Sequence, residues 1–535
     1  MATFNPPAPL LPQYRHAPAE PSRLRRTLVV GGQLVAAAGY GVAAVTLPPA
    51  LLTILIAPVV VCLLLALWMM PDRGVFPLGA IQRVYVILLV LMVIWPSYIA
   101  VVLPGLPWLT PTRVALFIVT FFFLYSLSTS GLLRRHVYTV ARVSKPLWIA
   151  FLFWQASMIY TVPFSPTPAS TLKFLLDNEL RLTEMFFLGC LLFLRPGAAT
   201  RTIGWLIVLG LVCSLDGFVE VRLEYPPWAF HIPSFMRVDD ATLANVLGAQ
   251  ARSADGLYRV RGPFPNSLIF AEYLALCTPF ILHWIITGRS LLLRLAMIVA
   301  WFTMFAAILT TQSRLGLVGA LFGHVAYLPL WAFRRWRADR SALLGPFILF
   351  GAPFAALLTV GIIFSSHTLA TRILGGGAQA ASNAARAQQR AMAVPKVLAN
   401  PIGHGLGQSG NVLGFANQAG AVTVDNHYIT SLIDVGVPGT IAFYAMFIIA
   451  ASLGVRLYLS TRDREVELAG PLAVMFIVFF LIKTVLSQEN NHALVLLLLG
   501  MMVALWARDK GIVRYDDLLP GTTARADQPN ASAAR

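Results

Sequence analysis

Long apolar runs recur along almost the whole chain, separated by short polar segments. An α-helix needs roughly 20 apolar residues to cross a bilayer. Only helices and closed barrels satisfy their backbone groups in lipid, and these runs are too long for barrel strands. The pattern therefore predicts an all-α, polytopic membrane bundle with about 12–14 transmembrane helices. The approximate bounds of the predicted spans are 27–46, 50–70, 84–103, 113–130, 147–163, 180–195, 203–220, 267–287, 294–311, 315–332, 343–363, 429–455, 468–486 and 492–507.

Composition agrees with a membrane protein. The 535 residues are 58% hydrophobic and only 12% charged, with a mean hydropathy of +0.73. A soluble domain carries about 25% charged residues. The net charge of +17 would suggest nucleic acid on a soluble protein. Here most arginines lie in short loops between apolar runs, so we expect membrane lipids and no nucleic acid as partners. The four cysteines lie singly inside apolar runs, without disulfide or metal spacing.

The distribution of Lys and Arg predicts the topology. Basic residues cluster in alternate short loops, and the intervening loops are nearly free of them. Because basic loops stay on the cytoplasmic side, both termini are predicted to be cytoplasmic. The predicted organisation is a cytoplasmic tail at 1–26, a transmembrane bundle at 27–507 and a polar, disordered cytoplasmic tail at 508–535. Two long loops, near 221–266 and 364–428, would then be periplasmic.

These outer loops contain elements of their own. Pro226-Pro227-Trp228 in the first loop is suited to the membrane surface. The second holds an Ala/Gln/Arg stretch, Ala378–Lys396, which predicts a helix across the outer face. Pro166–Glu179 predicts a short interfacial helix. Loops of this length are uncommon unless they are functional.

The most polar part of the outer side begins at Asn400. Three glycines within Gly403–Gly407 indicate a backbone turn. Downstream, Asp425-Asn426-His427 stands at the mouth of a long apolar run. Ionisable groups in such a position are a functional hypothesis by default.

Arginines from separate segments are predicted to share this side. Arg259 and Arg261 precede one span, Arg314 lies in a tight hairpin, and Arg386 and Arg390 lie on the predicted surface helix. Arginine pairs bidentately with phosphate oxygens, so such a group could hold a lipid diphosphate. A neighbouring Asp or His could take the proton of an incoming hydroxyl. Such a mechanism requires neither a metal nor a nucleotide cofactor.

Each residue also has a structural interpretation. An arginine at a helix end often reaches toward lipid headgroups, and His427 alone is more often a satisfied interfacial residue. Lys483 is predicted to extend from the outer end of its span in the same way. Glu489–His492 is predicted to be an ordinary polar hairpin. The predicted convergence of the arginines on one side favours the functional interpretation.

Four motifs occur in a characteristic order. They are Arg-Gly-Pro-Phe-Pro-Asn at 261–266, Ser-Arg-Leu-Gly at 313–316, an arginine ahead of the Asn400–Gly407 turn, and Asn426-x-Tyr428-Ile followed by Asp434-x-Gly-x-x-Gly. Over roughly residues 255–455, this order resembles the O-antigen ligase and Wzy-type polymerase family of bacterial envelope glycosyltransferases.

The resemblance implies a metal-independent enzyme in the bacterial inner membrane. Members of the family act on glycans carried by undecaprenyl diphosphate, at the periplasmic face. Arg261 and Arg314 would grip the diphosphate as catalytic residues. The family's base is a His directly before the motif Asn, but here Asp425 occupies that position, so either Asp425 or His427 is the expected base. The expected substrate-binding residues are Arg259, Asn266, Arg386, Arg390, His404, Asn426 and Tyr428.

Because Asp425 replaces that His, we favour a polymerase of exopolysaccharide or O-antigen over a ligase. The ligase alternative would transfer finished glycan to lipid A-core or to protein. The resemblance also suggests a chain-length-regulating or export protein as a partner. A flippase is less favoured, since transporters usually place polar sites near the bilayer midplane.

Overall fold

The structure, a computed structural model, describes residues 78–102, 108–236, 256–341, 343–365, 380–416 and 422–512, together with 62–67 and isolated positions before residue 71. The predicted spans 27–46 and 50–70 lie almost entirely outside the described residues. So do residues 237–255, 366–379 and 417–421 of the predicted outer loops and the predicted tail beyond residue 512.

Helices dominate the described part of the chain. Their bounds are α1 Leu78–Ile94, α2 Pro111–Thr129, α3 Gly131–Val143, α4 Lys145–Thr161, α5 Pro168–Asn178, α6 Glu184–Leu192, α7 Ala198–Leu223, α8 Ser267–Thr287, α9 Leu291–Thr310, α10 Arg314–Ala338, α11 Leu344–Ser365, α12 Ala380–Ala399, α13 Ser409–Leu413, α14 His427–Asp434, α15 Gly436–Ser460, α16 Ala469–Ile482 and α17 His492–Asp509.

Seven of the described helices are long and apolar enough to cross a membrane, namely α2, α7, α8, α9, α10, α15 and α17. Helix α1 and the segment Val466–Ile482 are apolar but shorter. The prediction of an all-α polytopic membrane protein is confirmed.

Two helices form the centre of the bundle. Helix α8 packs against α7, α9, α10 and α16, and α17 packs against α6 and α15. The α6–α17 contact is close because it is built on glycines: a Cβ at Gly189 would come within 3.0 Å of the Cα of Gly500. Small residues of this kind let helices approach closely in a membrane.

The helix ends form two separate groups of contacts. At one end, called here the site end, Val260 N donates to Thr310 O (3.3 Å) and Asn491 Nδ2 donates to Ile269 O (3.0 Å). These bonds join the C-terminal end of α9 and the N-terminal ends of α8 and α17. At the opposite end, the basic residues Arg334 and Arg508 pair with Glu467 (2.9 Å) and Glu465 (2.7 Å).

Three predicted spans differ from the structure by more than a few residues at their ends. The helix predicted at 84–103 runs from Leu78 to Ile94, because Pro96 disfavours helical geometry at Trp95. The span predicted at 180–195 belongs to one helical stretch that starts at Pro168 and passes through a π-helical turn, Glu179–Thr183. This stretch contains the interfacial helix predicted at Pro166–Glu179.

The span predicted at 429–455 is two helices. Helix α14 ends at Asp434, and α15 starts at Gly436, whose φ of +73° favours glycine. A further helix, α3, occupies a segment predicted to be a loop. It buries Leu133 and Val140 and exposes Arg134 and Arg135, as expected of an amphipathic helix.

Candidate active site

The glycine turn predicted at Gly403–Gly407 docks on the break between α14 and α15. Gly403, Gly405 and Gly407 have φ angles of +108°, +102° and +75°. Gly405 N donates to Asp434 O (2.9 Å), and the Asn400 side chain donates to Gly403 O (2.8 Å). The Asn-Pro-Ile-Gly-x-Gly-x-Gly motif is therefore required by backbone geometry at this contact.

Asp434 holds the end of the turn. Its carboxylate accepts hydrogen bonds from Gly407 N (3.0 Å) and Ser409 N (2.6 Å). Burial raises the pKa of Asp434 to about 7, although the backbone donors favour the charged form. The Asp-x-Gly motif thus supplies both the acceptor for the turn and the glycine of the helix break.

Gly403→Ala should strongly destabilise the protein. A Cβ there would lie 2.6 Å from Gly436 N and 2.7 Å from Asp434 O, in addition to the strain of its positive φ. We expect a loss of about 3 kcal/mol or more, from backbone strain plus overpacking. The matched control is Gly414→Ala, since Gly414 also has a positive φ (+70°) but no atom within 4 Å of its Cβ position.

Thermal melting of the two purified variants separates the effect of backbone strain from that of overpacking. Gly414→Ala should show only the strain of about 1–2 kcal/mol. Equal melting temperatures for both variants would mean that the docked turn contributes nothing beyond backbone strain.

The residues that follow Asp425 form the start of α14. Asn426 caps the helix by accepting from Tyr428 N (2.8 Å) and Ile429 N (3.4 Å). Tyr428 stacks on Tyr444 with ring centroids 4.3 Å apart and donates its hydroxyl to Phe480 O (2.9 Å). These contacts make the Asn-x-Tyr motif a local anchor for the chain around Asp425.

His427 is buried with both ring nitrogens in contact with protein groups. Its Nδ1 lies 2.7 Å from the Tyr444 hydroxyl, and its Nε2 lies 3.5 Å from Glu489 Oε1. Burial lowers the pKa of His427, and Glu489 opposes that shift. In this arrangement, the imidazole has no nitrogen directed away from the protein to receive a proton from a substrate.

Asp425 is better placed for such a role. It is half-buried, and its backbone N donates to Gln389 Oε1 (2.9 Å) on α12. Its Oδ1 has a long contact to the Thr423 hydroxyl (3.4 Å). Gln389 is fully buried and was not predicted as a site residue, yet it connects Asp425 to the helix that carries Arg386.

Three of the predicted arginines come together. The charge of Arg386 on α12 acts on both Arg259 and Arg314, so the three guanidinium groups share one region of the site end. The Nε of Arg259 donates to Thr311 O (3.3 Å). The pKa of Arg259 is lowered, first by burial and second by Arg386. Like charges so placed repel, and a bound anion would remove that repulsion.

Arg261 is placed differently from the other three. It is 5% exposed, and its Nε lies 3.7 Å from Glu220 Oε1 on α7. Glu220 also accepts from the Tyr258 hydroxyl (2.6 Å) and Gly262 N (2.7 Å). The Nε and Nη2 of Arg261 have no hydrogen-bond partner among the described residues. Arg261 is thus a buried residue in an ion pair, and part of its guanidinium group makes no hydrogen bond to the described residues. The sequence did not indicate Glu220 as its partner.

The other predicted site residues occupy the same end with simpler roles. Asn266 caps α8 by accepting from Ile269 N (3.0 Å). Arg390 is exposed, one turn along α12 from Arg386. His404 is half-buried, and its Nδ1 lies 3.2 Å from Ile433 O.

The prediction for Lys483 is wrong. Its side chain is fully buried, and its Nζ lies 2.9 Å from Glu272 Oε1. Lys483 also donates to Gln488 O (2.8 Å), while Asn491 donates to Glu272 Oε2 (2.8 Å). The side chain does not reach toward headgroups because a buried partner of opposite charge is available. The signal in the sequence was the pair of opposite charges inside two apolar runs.

The hairpin Glu489–His492 is also more than a polar surface turn. Glu489 contacts His427 and, through Oε2, Arg181 at 3.6 Å. The His492 ring lies against that of His427, with centroids 4.7 Å apart. These residues carried no predicted site role because polar residues are expected in any hairpin.

Comparison with known protein families identifies a similarity. A family model described as O-antigen ligase matches residues 275–444. No curated protein matches the chain. The matched region contains Arg314, Arg386, the glycine turn and Asp425, whereas Arg259 and Arg261 lie before it. Over residues 275–444, about a third of its length, this chain is similar to the O-antigen ligase family.

Proposed function

We propose that this protein is a polysaccharide polymerase of the bacterial inner membrane, which joins glycan repeat units carried on undecaprenyl diphosphate at the periplasmic face. The proposal is supported by three contacts: Arg259 donates to Thr311 O beside the Arg314 hairpin, the charge of Arg386 acts on Arg259 and Arg314, and Asp425 is bonded to Gln389 on the helix of Arg386. The family match supports chemistry of the ligase or polymerase type, which both classes of enzyme share.

The arginines would bind the diphosphate of the donor. Guanidinium groups pair bidentately with phosphate oxygens and keep their charge when they are partly desolvated. Their mutual repulsion without an anion favours diphosphate binding. As the bond to the sugar breaks, charge increases on the diphosphate, and the same groups stabilise it in the transition state.

Asp425 would act as the base. The hydroxyl oxygen of the acceptor sugar attacks the anomeric carbon of the donor, and the bond from that carbon to the diphosphate oxygen breaks. The hydroxyl proton passes to the Asp425 carboxylate, and the lipid diphosphate leaves with the bonding electrons. Asp425 is favoured over His427 because the His427 ring nitrogens already contact Tyr444 and Glu489.

Arg261 would support this site without holding the donor alone. Its Nε pairs with Glu220, which offsets its charge, while its Nη2 has no hydrogen-bond partner among the described residues. The Glu220 carboxylate also fixes the segment Tyr258–Gly262, which carries Arg259. A role in positioning Arg259 therefore accompanies any direct contact with phosphate.

The two candidate bases can be separated by substitution. Asp425→Asn keeps size and polarity but cannot accept the proton, so polymer formation should fall by about 100-fold or more at a normal protein level in the membrane. His427→Gln should reduce polymer only in proportion to any loss of protein. Each variant is expressed in a null strain, and the amount of polymer is measured. Immunoblotting of the membrane fraction gives the protein level for comparison. Loss of polymer from His427→Gln at full protein level, with Asp425→Asn active, would reverse the assignment.

A null strain tests the polymerase proposal itself. Loss of a polymerase should leave single repeat units on the lipid carrier, whereas loss of a ligase should accumulate long lipid-linked chains. Extraction and sizing of lipid-linked glycans distinguishes these results. Long chains in the null strain would contradict the polymerase proposal and favour the ligase. Glycan translocation without chain growth by the reconstituted protein would favour a flippase.

A further inference from the structure

Three side chains from separate segments converge at the site end, and the proposed transfer chemistry uses none of them directly. His427 starts α14, Glu489 lies in the α16–α17 hairpin, and His492 starts α17. Each offers one ligand atom, and these atoms all lie within 4.8 Å of one another. An ion placed among them needs only small side-chain movements to reach bonding distances of about 2.0–2.2 Å.

One buried nitrogen in this cluster lacks a hydrogen-bond partner among the described residues. His492 is 1% exposed, and its Nε2 has no hydrogen-bond partner among the described residues. A buried polar atom without a partner costs about 1–3 kcal/mol. A ligand that accepts its lone pair would remove that cost.

We propose that His427, Glu489 and His492 bind a divalent transition-metal ion, with Zn²⁺ as the best-matched ion. Imidazole nitrogens suit first-row transition metals, and two imidazoles with one carboxylate are a known Zn²⁺ ligand set. Three protein ligands leave a coordination position for water. The Glu489 side chain is about one-third exposed, whereas both histidines are buried.

The surroundings support this ligand set. The Tyr444 hydroxyl, 2.7 Å from Nδ1 of His427, orients the ring and leaves Nε2 facing Glu489. Glu489 presents Oε1 to His427, while its Oε2 pairs with Arg181. Arg181 is also paired with Asp177 (3.5 Å), and Lys483 with Glu272 (2.9 Å), so both nearby cations have carboxylate partners.

The ion would have a structural role. It would join the start of α14 to the α16–α17 hairpin, immediately after Asp425 and Asn426. The metal would therefore stabilise the fold at the start of α14, and its loss would act through the amount of folded protein. The site does not depend on the proposed function, because the ligands and their geometry are independent of which glycan is transferred.

Metal binding by the purified, full-length protein tests the proposal. The protein should carry an affinity tag that lacks histidine, be stripped with a chelator and then be dialysed against Zn²⁺ alone. We expect about one tightly bound Zn²⁺ per chain, as a converging set of buried ligands implies. His492→Gln and Glu489→Gln should each weaken binding by more than the roughly 10–100-fold that loss of an outer partner causes. Tyr444→Phe should fall within that range.

His231→Gln is the matched control, since His231 is exposed and lies outside the cluster. It should bind Zn²⁺ like the unmodified protein. Absence of stoichiometric Zn²⁺ in the unmodified protein, or retention of full affinity by His492→Gln and Glu489→Gln, would overturn the proposal. If these variants do not fold, adding Co²⁺ to the unmodified protein tests whether the metal site exists. Intense visible absorption bands from one equivalent of Co²⁺ support the site, and their absence overturns it.

Discussion

Arg314→Ala should reduce polymer formation by about 100-fold or more, the cost of removing one group that stabilises developing charge in a transition state. Arg314 starts α10, and Arg386 lies near enough to act on it electrostatically. In the proposed mechanism both contact the departing diphosphate. The measurement is polymer length and amount in a null strain that carries the variant, with the protein level in the membrane determined in parallel.

Two further variants of α10 sharpen this test. Arg314→Lys keeps the charge but loses the planar fork, so it should recover only part of the activity. Arg335→Ala is the matched control, because Arg335 is exposed on the same helix, roughly 30 Å away at about 1.5 Å per residue. It should make normal polymer. Normal-length polymer from Arg314→Ala would remove the main support for a diphosphate site.

Lys483→Met should cause the largest loss of stability, about 3–5 kcal/mol, because it leaves Glu272 buried without its cation. Both side chains are fully buried, and their 2.9 Å contact connects α8 to the C-terminal end of α16. The double variant Lys483→Met with Glu272→Gln removes both charges. The introduced side-chain amide can still accept the hydrogen bond from Asn491, so most of the lost stability should return.

Melting temperatures of the purified variants, with their levels in membranes, measure this effect. Lys510→Met is the control, since Lys510 is exposed and pairs with Asp509 at the opposite end. Surface pairs contribute about 0–1 kcal/mol, so this variant should melt nearly like the unmodified protein. If Lys483→Met is no less stable than the double variant, the buried charge is not what stabilises this contact.

The positions of the arginines illustrate what the pattern of basic loops can predict and what it cannot. Arg259, Arg314 and Arg386 lie far apart in the chain, and the alternation of basic loops predicts that they share one side of the membrane. The same reasoning included Arg261, but it could not show that Glu220 pairs with it. That pairing depends on how closely α7 approaches the segment before α8, which hydropathy does not encode.

The cluster of His427, Glu489 and His492 had a weaker signal in the sequence. His427 and His492 are separated by more than sixty residues, and the hairpin around Glu489 is polar for ordinary reasons. Packing of α14 against the α16–α17 hairpin brings the three side chains together. The same packing engages both ring nitrogens of His427 and so favours Asp425 as the base.

The hydropathy pattern is enough to predict the all-α membrane architecture, because the backbone polar groups of an apolar run must be satisfied within the segment in lipid. The closely spaced glycines also predict the turn, since only glycine readily adopts the positive φ angles found at Gly403, Gly405 and Gly407. The partners of the charged residues become visible only in the folded chain: Glu272 pairs with Lys483, Glu220 with Arg261, and Glu489 with His427. The physical reason is that a buried charge is stabilised by whichever opposite charge packing brings within a few ångströms, and that distance is a property of helix packing.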